Sequence, residues 1–157
     1  MDDSIFQYKG DQLHCQDVSL QKIAREIKTP FYEYSEKAII DLLNAYKLAF
    51  AKTSHLICFS VKSLSNISIL KMISATGVGF DIVSGGELFR LMHIKADPGK
   101  IVFSGVGKDA ASISAALEYG VLLFNVESQS ELAQINRIAG KVKRIAPIGI
   151  RINPAID

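Results

Sequence analysis

Lys62 is the residue in this chain whose type and position most directly suggest chemistry. It ends the apolar run 56–61 and stands just before the turn-like residues 63–66. Where a buried strand opens into a loop, partial desolvation favours the neutral, nucleophilic form of a lysine amine. Such an amine can form a Schiff base with a carbonyl compound. Lys62 is therefore the first candidate for covalent catalysis.

Polar or charged residues also follow the other apolar runs. They are Asp81 and Ser84, Ser104, Asn125 and Glu127, and Arg151 and Asn153. In a (β/α) barrel the carboxyl ends of successive strands converge on one mouth, where the active sites of that fold are built. An amine, carboxylates and a guanidinium at one mouth could bind a charged small molecule.

Short apolar runs alternate with helical patterns, and this alternation predicts the elements that would position these residues. After a weak hairpin pattern at 6–14 and a short helix containing Leu20 and Ile27, the spacing predicts strands at 31–34, 56–61, 79–83, 101–103, 121–126 and about 145–152. Ser35 and the capping box Ser128-x-x-Glu131 mark the starts of helices. Such β(αβ) repetition predicts an α/β fold with a parallel sheet covered by helices.

Two architectures fit this repetition. A doubly wound sheet usually has a glycine-rich phosphate turn after its first strand, and residues 62–65 contain no glycine. The segments 84–87 and 104–109 match neither GxGxxG nor the P-loop, because Asp109 stands where Ser or Thr must hold the metal, so tight turns are the better interpretation. The polar strand ends favour a (β/α)8 barrel.

The predicted barrel is incomplete. From residue 56 onward there are five predicted strands, whereas the complete fold has eight strands and typically about 250 residues. We therefore expect either a fragment or a naturally truncated product.

Composition narrows the function classes. The net charge is +2 with no basic block, which argues against nucleic acid and a polybasic membrane surface, and the acidic start is unlike a signal peptide. Cys15 and Cys58 fit reduced thiols in a cytoplasmic protein, and His14, His55 and His93 have no metal-ligand spacing. A small-molecule substrate and no metal are expected.

The strand-end segments, taken in order, resemble those of one enzyme family. The sequence is similar to the fold-type III pyridoxal-phosphate-dependent decarboxylases, and among them the diaminopimelate decarboxylases. The similar segments are 29–34 (Thr-Pro-Phe-Tyr-Glu-Tyr), 59–62 (Phe-Ser-Val-Lys), 79–88 (Gly-Phe-Asp-Ile-Val-Ser-Gly-Gly-Glu-Leu), 101–108 (Ile-Val-Phe-Ser-Gly-Val-Gly-Lys), 124–128 (Phe-Asn-Val-Glu-Ser) and 151–154 (Arg-Ile-Asn-Pro).

The resemblance implies an alanine-racemase-like barrel over residues 29–157, with residues 1–28 as a strand and helix that join a β domain. Lys62 would be the catalytic residue and would bind pyridoxal 5'-phosphate as a Schiff base. Asp81 and Glu87 would lie near the cofactor lysine, Asp81 would hold the charge and orientation of Lys62, and Arg151 would orient an oxygen of the cofactor. The implied reaction is decarboxylation of meso-diaminopimelate to L-lysine by a homodimer.

Each of these residues also has a structural interpretation. Lys62 could be a surface lysine, Asp81 a turn cap, Glu87 a partner of the helix dipole, and Arg151 half of an ion pair. Asn66 is expected to cap a helix rather than to contact a ligand.

Two departures from the family pattern bear on activity. Ser63-Leu64 stands where the family has Ala-Asn. The family's histidine that stacks on the cofactor, phosphate loop, pyridine-binding glutamate and C-terminal β domain lie in later segments, so the 157 residues alone are expected to be inactive. Alternatives are another basic amino-acid or polyamine decarboxylase, or a non-catalytic homologue that binds a partner subunit.

Overall fold

Short strands alternate with helices in the computed structural model, which describes residues 5–154. The strands are β1 Phe6–Lys9, β2 Gln12–Cys15, β3 Val18–Ser19, β4 Cys58–Ser60, β5 Gly79–Ile82, β6 Ile101–Phe103, β7 Leu123–Val126 and β8 Ile148–Ile150. The helices are α1 Leu20–Ile27, α2 Glu36–Ala49, α3 Ile67–Ala75, α4 Gly85–His93, α5 Ala110–Tyr119 and α6 Gln129–Val142. The chain divides into two units, Met1–Thr53 and Ser54–Asp157.

The first unit contains β1 to β3, α1 and α2. β1 pairs with β2 and β2 with β3, both antiparallel, which confirms the hairpin predicted from residues 6–14. Gly10 turns between the first two strands at φ 62°, a conformation that glycine adopts without steric cost. Cys15 is buried at the end of β2, where burial and then the negative charge of Glu33 raise the pKa of its thiol.

The second unit is a five-stranded parallel sheet with the order β4-β5-β6-β7-β8. Each strand pairs with the next strand of the chain, and a helix stands between every two of them. In a doubly wound sheet the order reverses at a switch point, whereas in a barrel it runs in one direction. The one-directional order is that of a (β/α) barrel, as the sequence predicts.

Side chains of the sheet alternate between two faces. Phe80 and Ile82 of β5 are almost fully buried and belong to a core with the inward residues of the helices, while Asp81 between them faces the other side and is half-buried. The remaining core residues of the sheet are Ile101, Phe103, Phe124 and Val126, and those of the helices include Leu70, Ile73, Leu88, Leu91, Ile113, Ala116, Ile135 and Ile138. The polar residues of the strands therefore lie on the face opposite this core.

Side-chain caps fix where the helices begin. Ser35 accepts from the amide of Ala38, and Asn66 from the amides of Ser68 and Ile69, which confirms both predicted caps. α5 ends at Gly120, which has φ 87°. No helix among residues 5–154 is long and apolar enough to cross a membrane.

The strand predicted at 31–34 is wrong. Residues 31–35 have no regular structure, and Tyr32 and Tyr34 are exposed with their rings stacked 6.3 Å apart. An extended segment becomes a strand only when a neighbour pairs with its backbone, and no strand of the described chain does so.

The sequence predicts a boundary between residues 28 and 29, where two domains of the family meet. The two units described above are defined by compactness and divide the chain at a different place. They do not test the predicted domain boundary, which stays a prediction.

Candidate active site

The carboxyl ends of the parallel strands bring several predicted site residues to one edge of the sheet. Ser60 of β4 lies opposite Asp81 of β5, and Asn125 of β7 lies opposite Gly149 of β8. Ser104 directly follows β6, and its amide donates to Ile82 O. We call this edge, on the face opposite the helix-covered core, the mouth.

A chain of side-chain hydrogen bonds crosses three neighbouring strands at the mouth. Asn125 Nδ2 donates to Ser104 Oγ at 2.9 Å, and Ser104 Oγ donates to Asp81 Oδ1 at 2.5 Å. Ser104 is only 8% exposed. We call these three residues the polar chain. The sequence predicts that they face one mouth, but it does not predict that they are bonded to one another.

Gly149 allows β8 to approach this polar chain. A Cβ at residue 149 would stand 2.9 Å from Asn125 Oδ1 and 3.5 Å from a methyl of Leu123. The first distance is shorter than real Cβ contacts, and the Asn125 amide is already held by Ser104. Glycine is thus required here by close approach, not by its backbone conformation.

Lys62 lies in a 3-10 turn, Val61–Ser63, that directly follows β4, rather than on the strand itself. Val61 is fully buried and anchors the turn, and Ser63 Oγ closes it by donating to Ser60 O at 2.7 Å. The turn contacts β5, the strand of Asp81. Lys62 is exposed, and its amine forms no hydrogen bond or ion pair with residues 5–154.

Arg151 extends the mouth beyond β8. Its Nη1 lies 3.5 Å from Glu127 Oε1, and the two side chains are 56% and 21% exposed. This is the ion pair that the structural interpretation of Arg151 expects. The pairing is weak enough, at this distance and exposure, to leave other guanidinium donors for a ligand.

Ser60 adds a hydroxyl that the sequence analysis did not single out. Its Oγ is buried and is the only such side-chain atom in the described chain without a hydrogen-bond partner. Buried polar groups in folded proteins are nearly always bonded, so this hydroxyl is available to pair with a water or a ligand at the mouth.

Lys108 is the residue that sequence analysis missed most clearly. Its side chain is 0% exposed, and its Nζ donates to Gly105 O, Asn125 O and Glu131 Oε1 at 2.6, 2.8 and 2.6 Å. The ammonium also lies 5.6 Å from the centroid of the Phe103 ring. A lysine has three donors, and all three are used.

Two capping boxes tie helix starts to the ends of the preceding strands. In the first, Glu87 accepts from the amide of Val83 at 2.8 Å, and Ser84 accepts from the amide of Glu87. In the second, Glu131 accepts from the amide of Glu127, and Ser128 accepts from the amide of Glu131. The predicted box at 128–131 is confirmed, and Glu87 caps its own helix, which is a structural role.

The negative charge of Asp81 affects the pKa of a thiol on the neighbouring strand. This thiol belongs to Cys58 of β4, which is half-buried and lies beside Gly79. A Cβ added at Gly79 would stand 3.1 Å from Cys58 Sγ. Burial raises the pKa of the Cys58 thiol, and the negative charge of Asp81 raises it further.

Comparison with known proteins identifies the family of this chain. Residues 36–157 match the family described as "Pyridoxal-dependent decarboxylase, pyridoxal binding domain". The chain belongs to this family. Lys62, Asp81 and Arg151 all lie within the matched residues. The resemblance that the strand-end segments indicate is confirmed.

Relatives within this family are similar over nearly the whole chain. The diaminopimelate decarboxylase of Haemophilus influenzae is 47% identical over 154 residues, which cover 98% of this chain and 37% of that protein. The crystal structure of diaminopimelate decarboxylase from M. jannaschii in complex with L-lysine matches with a TM-score of 0.91 and 30% identity, over 97% of this chain and 36% of that one.

A solved structure from Aquifex aeolicus matches with a TM-score of 0.91 and 40% identity, over 96% of this chain and 37% of that one. The predicted fold, the N-terminal part of a (β/α) barrel, is confirmed. The chain spans a little over a third of the length of these relatives.

Proposed function

We propose that these residues form the part of a diaminopimelate decarboxylase that binds pyridoxal 5'-phosphate through Lys62. The observation that supports this most is the contrast between the two lysines near the mouth. Lys62 is exposed and has no hydrogen-bond partner among residues 5–154, whereas every donor of Lys108 is occupied. Of these two lysines, only Lys62 offers a nitrogen that can attack a carbonyl carbon.

The groups at the mouth fit such a cofactor. An aldehyde needs a free amine, which Lys62 supplies, and an aromatic ring with a phenolic oxygen needs donors and acceptors around it. Among the described residues, Asp81 has one carboxylate oxygen that accepts no hydrogen bond, Arg151 has unpaired guanidinium donors, and Ser60 has an unpaired buried hydroxyl. Each is a group that would gain a partner.

When bound, pyridoxal phosphate withdraws electrons from the Cα of an amino acid, so that its carboxylate can leave as carbon dioxide. Lys62 provides the covalent attachment and must present a neutral nitrogen for it. When the cofactor is bound, Asp81 would orient that nitrogen by accepting a hydrogen bond from it, on the carboxylate oxygen that Ser104 does not use. Ser104 is buried, so its hydrogen bond to Asp81 is shielded from solvent.

Arg151 orients an anionic oxygen at the opposite side of the mouth. Its planar guanidinium has a fixed charge and a fork of donors, which suits a phenolate or carboxylate oxygen. Glu127 pairs with one donor of that fork and leaves the others for the ligand.

The attachment is tested by incubating the protein at its natural length with pyridoxal phosphate, reducing with borohydride and mapping the label by mass spectrometry. We expect the label on Lys62 and its loss in Lys62→Ala. Lys71→Ala is the matched control, since Lys71 is an exposed lysine on the next helix, and it should label as the wild type does. A label on another lysine would contradict the proposal.

The substrate is inferred from relatives, which are named diaminopimelate decarboxylases. We expect the protein at its natural length to release carbon dioxide from meso-diaminopimelate, to form L-lysine, and to act as a homodimer in the cytoplasm. The test compares release from meso-diaminopimelate with that from lysine, ornithine and arginine, and measures the mass in solution. Preference for one of the other three amino acids would assign the protein to a different decarboxylase.

A further inference from the structure

The polar chain at the mouth has a defined direction of hydrogen bonding. Asn125 Nδ2 can only donate, so Ser104 Oγ accepts from it and has a single proton left to donate to Asp81. With the amide turned round, Asn125 Oδ1 and Asp81 Oδ1 would both need that proton, and one acceptor would stay unpaired. Full pairing therefore requires Asn125 as donor and Asp81 as acceptor.

The far end of this chain is fixed from behind. Lys108 Nζ donates to the backbone carbonyls of Asn125 and of Gly105, the residue that follows Ser104. Its third bond is to Glu131, which also binds the amide of Glu127 just beyond β7. The ends of β6 and β7 and the start of α6 are thus held together, so Ser104 and Asn125 have little freedom to move apart.

We propose that Ser104 and Asn125 are positioning residues, which hold the Asp81 carboxylate with one oxygen occupied and the other left to accept from the Lys62 nitrogen. This inference rests on the proposed function. Neither residue needs to touch the cofactor, because both act through Asp81. Their effect is to keep Asp81 from rotating about its side-chain bonds or pairing with another donor.

The bond from Ser104 to the Asp81 carboxylate should contribute strongly to holding Asp81 in place. Hydrogen bonds to charged groups are about twice as strong as neutral ones, and Ser104 is too buried for water to replace it freely. Removing the Ser104 hydroxyl leaves Asp81 without its donor and Asn125 Nδ2 without its acceptor. Replacing Asn125 by aspartate puts an acceptor where the chain needs a donor.

The test measures how fast pyridoxal phosphate attaches to Lys62 in the protein at its natural length, from the absorbance of the attached cofactor. Thermal unfolding of the cofactor-free protein is measured beside it. The variants are Ser104→Ala, Asn125→Asp, Asn125→Ala and Ser104→Thr, which keeps the hydroxyl. Ser112→Ala is the matched control, since Ser112 is equally buried and donates to Asp109, but at the start of α5.

We expect Ser104→Ala to slow attachment by about tenfold, the size expected from one lost bond to a charged group. Asn125→Asp should slow it comparably, because its carboxylate competes for the Ser104 proton, and Asn125→Ala should slow it less, because it removes only a bond between neutral groups. Ser104→Thr should restore most of the rate, and Ser112→Ala should keep the wild-type rate even if its melting temperature falls. Equal rates in all variants, or equal slowing by Ser112→Ala, would overturn the inference. The proposal that Lys62 is the attachment site would then still stand. If the wild type attaches at another lysine or at none, both the proposed function and this inference are wrong.

Discussion

The two lysines at the strand ends of the parallel sheet have opposite surroundings. Lys62 follows β4 in a short turn, is exposed and has no bonded partner among the described residues. Lys108 follows β6, is fully buried and has a carboxylate and two carbonyls around its ammonium. A buried charge is tolerated only when it is paired and bonded, so Lys108 is a structural element. An amine without partners at a mouth is available for chemistry.

Stability measurements test this contrast with the largest expected effect. Lys108→Met should lower the free energy of unfolding by about 3 kcal/mol or more, because it leaves the Glu131 carboxylate and two carbonyls unpaired. Lys62→Met should change it by less than about 0.5 kcal/mol, as is usual for an exposed residue. Urea unfolding of both variants gives the comparison. Similar losses in the two would show that Lys62 is also structural.

A double variant separates the ion pair from the rest of the Lys108 cluster. Lys108→Met combined with Glu131→Gln should be more stable than Lys108→Met alone, because no unpaired charge remains and glutamine can still accept from the amide of Glu127. We expect a coupling energy of about 0.5–3 kcal/mol between the two sites. A coupling near zero in a double-mutant cycle would mean that the carboxylate contributes little to holding Lys108.

Acid should destabilise the start of α5, next to Lys108. Asp109 caps this helix, and its bonds from the amide and hydroxyl of Ser112 hold the pKa of its carboxyl below the ordinary value of 3.8. A pKa lowered by folding stabilises the protein fully above the ordinary value, and the contribution is lost as the pH falls through the folded-state value.

The expected result is that wild type melts above Asp109→Asn near neutral pH, and that the gap narrows as the pH is lowered below 3.8. Melting temperatures of both proteins between pH 7 and pH 2.5 measure it. A gap of constant size would mean that Asp109 acts through shape rather than charge.

The smallest expected effect concerns the charge at the mouth where Lys62 stands. Asp81→Asn should lower the pKa of the Cys58 thiol, because it removes the second cause of its rise while burial remains. The pH dependence of alkylation by iodoacetamide, measured in a Cys15→Ala background, gives this pKa. Asp97→Asn, at the other end of the strands, is the control and should leave it unchanged. An unchanged midpoint in Asp81→Asn would remove Asp81 as the source of that charge.

Much of the fold is predictable because the patterns are local. Apolar periodicity gave the order of strands and helices in the second unit, and Ser35, Asn66 and Ser128 stand at the helix starts that their types predict. The strand at 31–34 could not be predicted correctly, since pairing depends on a neighbour that is remote in sequence.

The site is predictable only in its outline. The strand-end position of Lys62, Asp81 and Arg151 follows from the alternation, and their family roles follow from the resemblance. The burial of Lys108 could not be predicted, because the segment Gly105-Val106-Gly107-Lys108-Asp109 has the composition of an exposed turn. The polar chain was also missed, since residues 81, 104 and 125 meet only through the register of three strands.

Gly149 limits which mutations the mouth can accept. One added methyl group would press on Asn125 Oδ1, and the displaced amide would act through Ser104 on Asp81. The smallest substitution at this position, Gly149→Ala, would therefore displace side chains at the ends of three other strands. Gly149 takes no part in binding or chemistry, yet it limits which substitutions the site can accept.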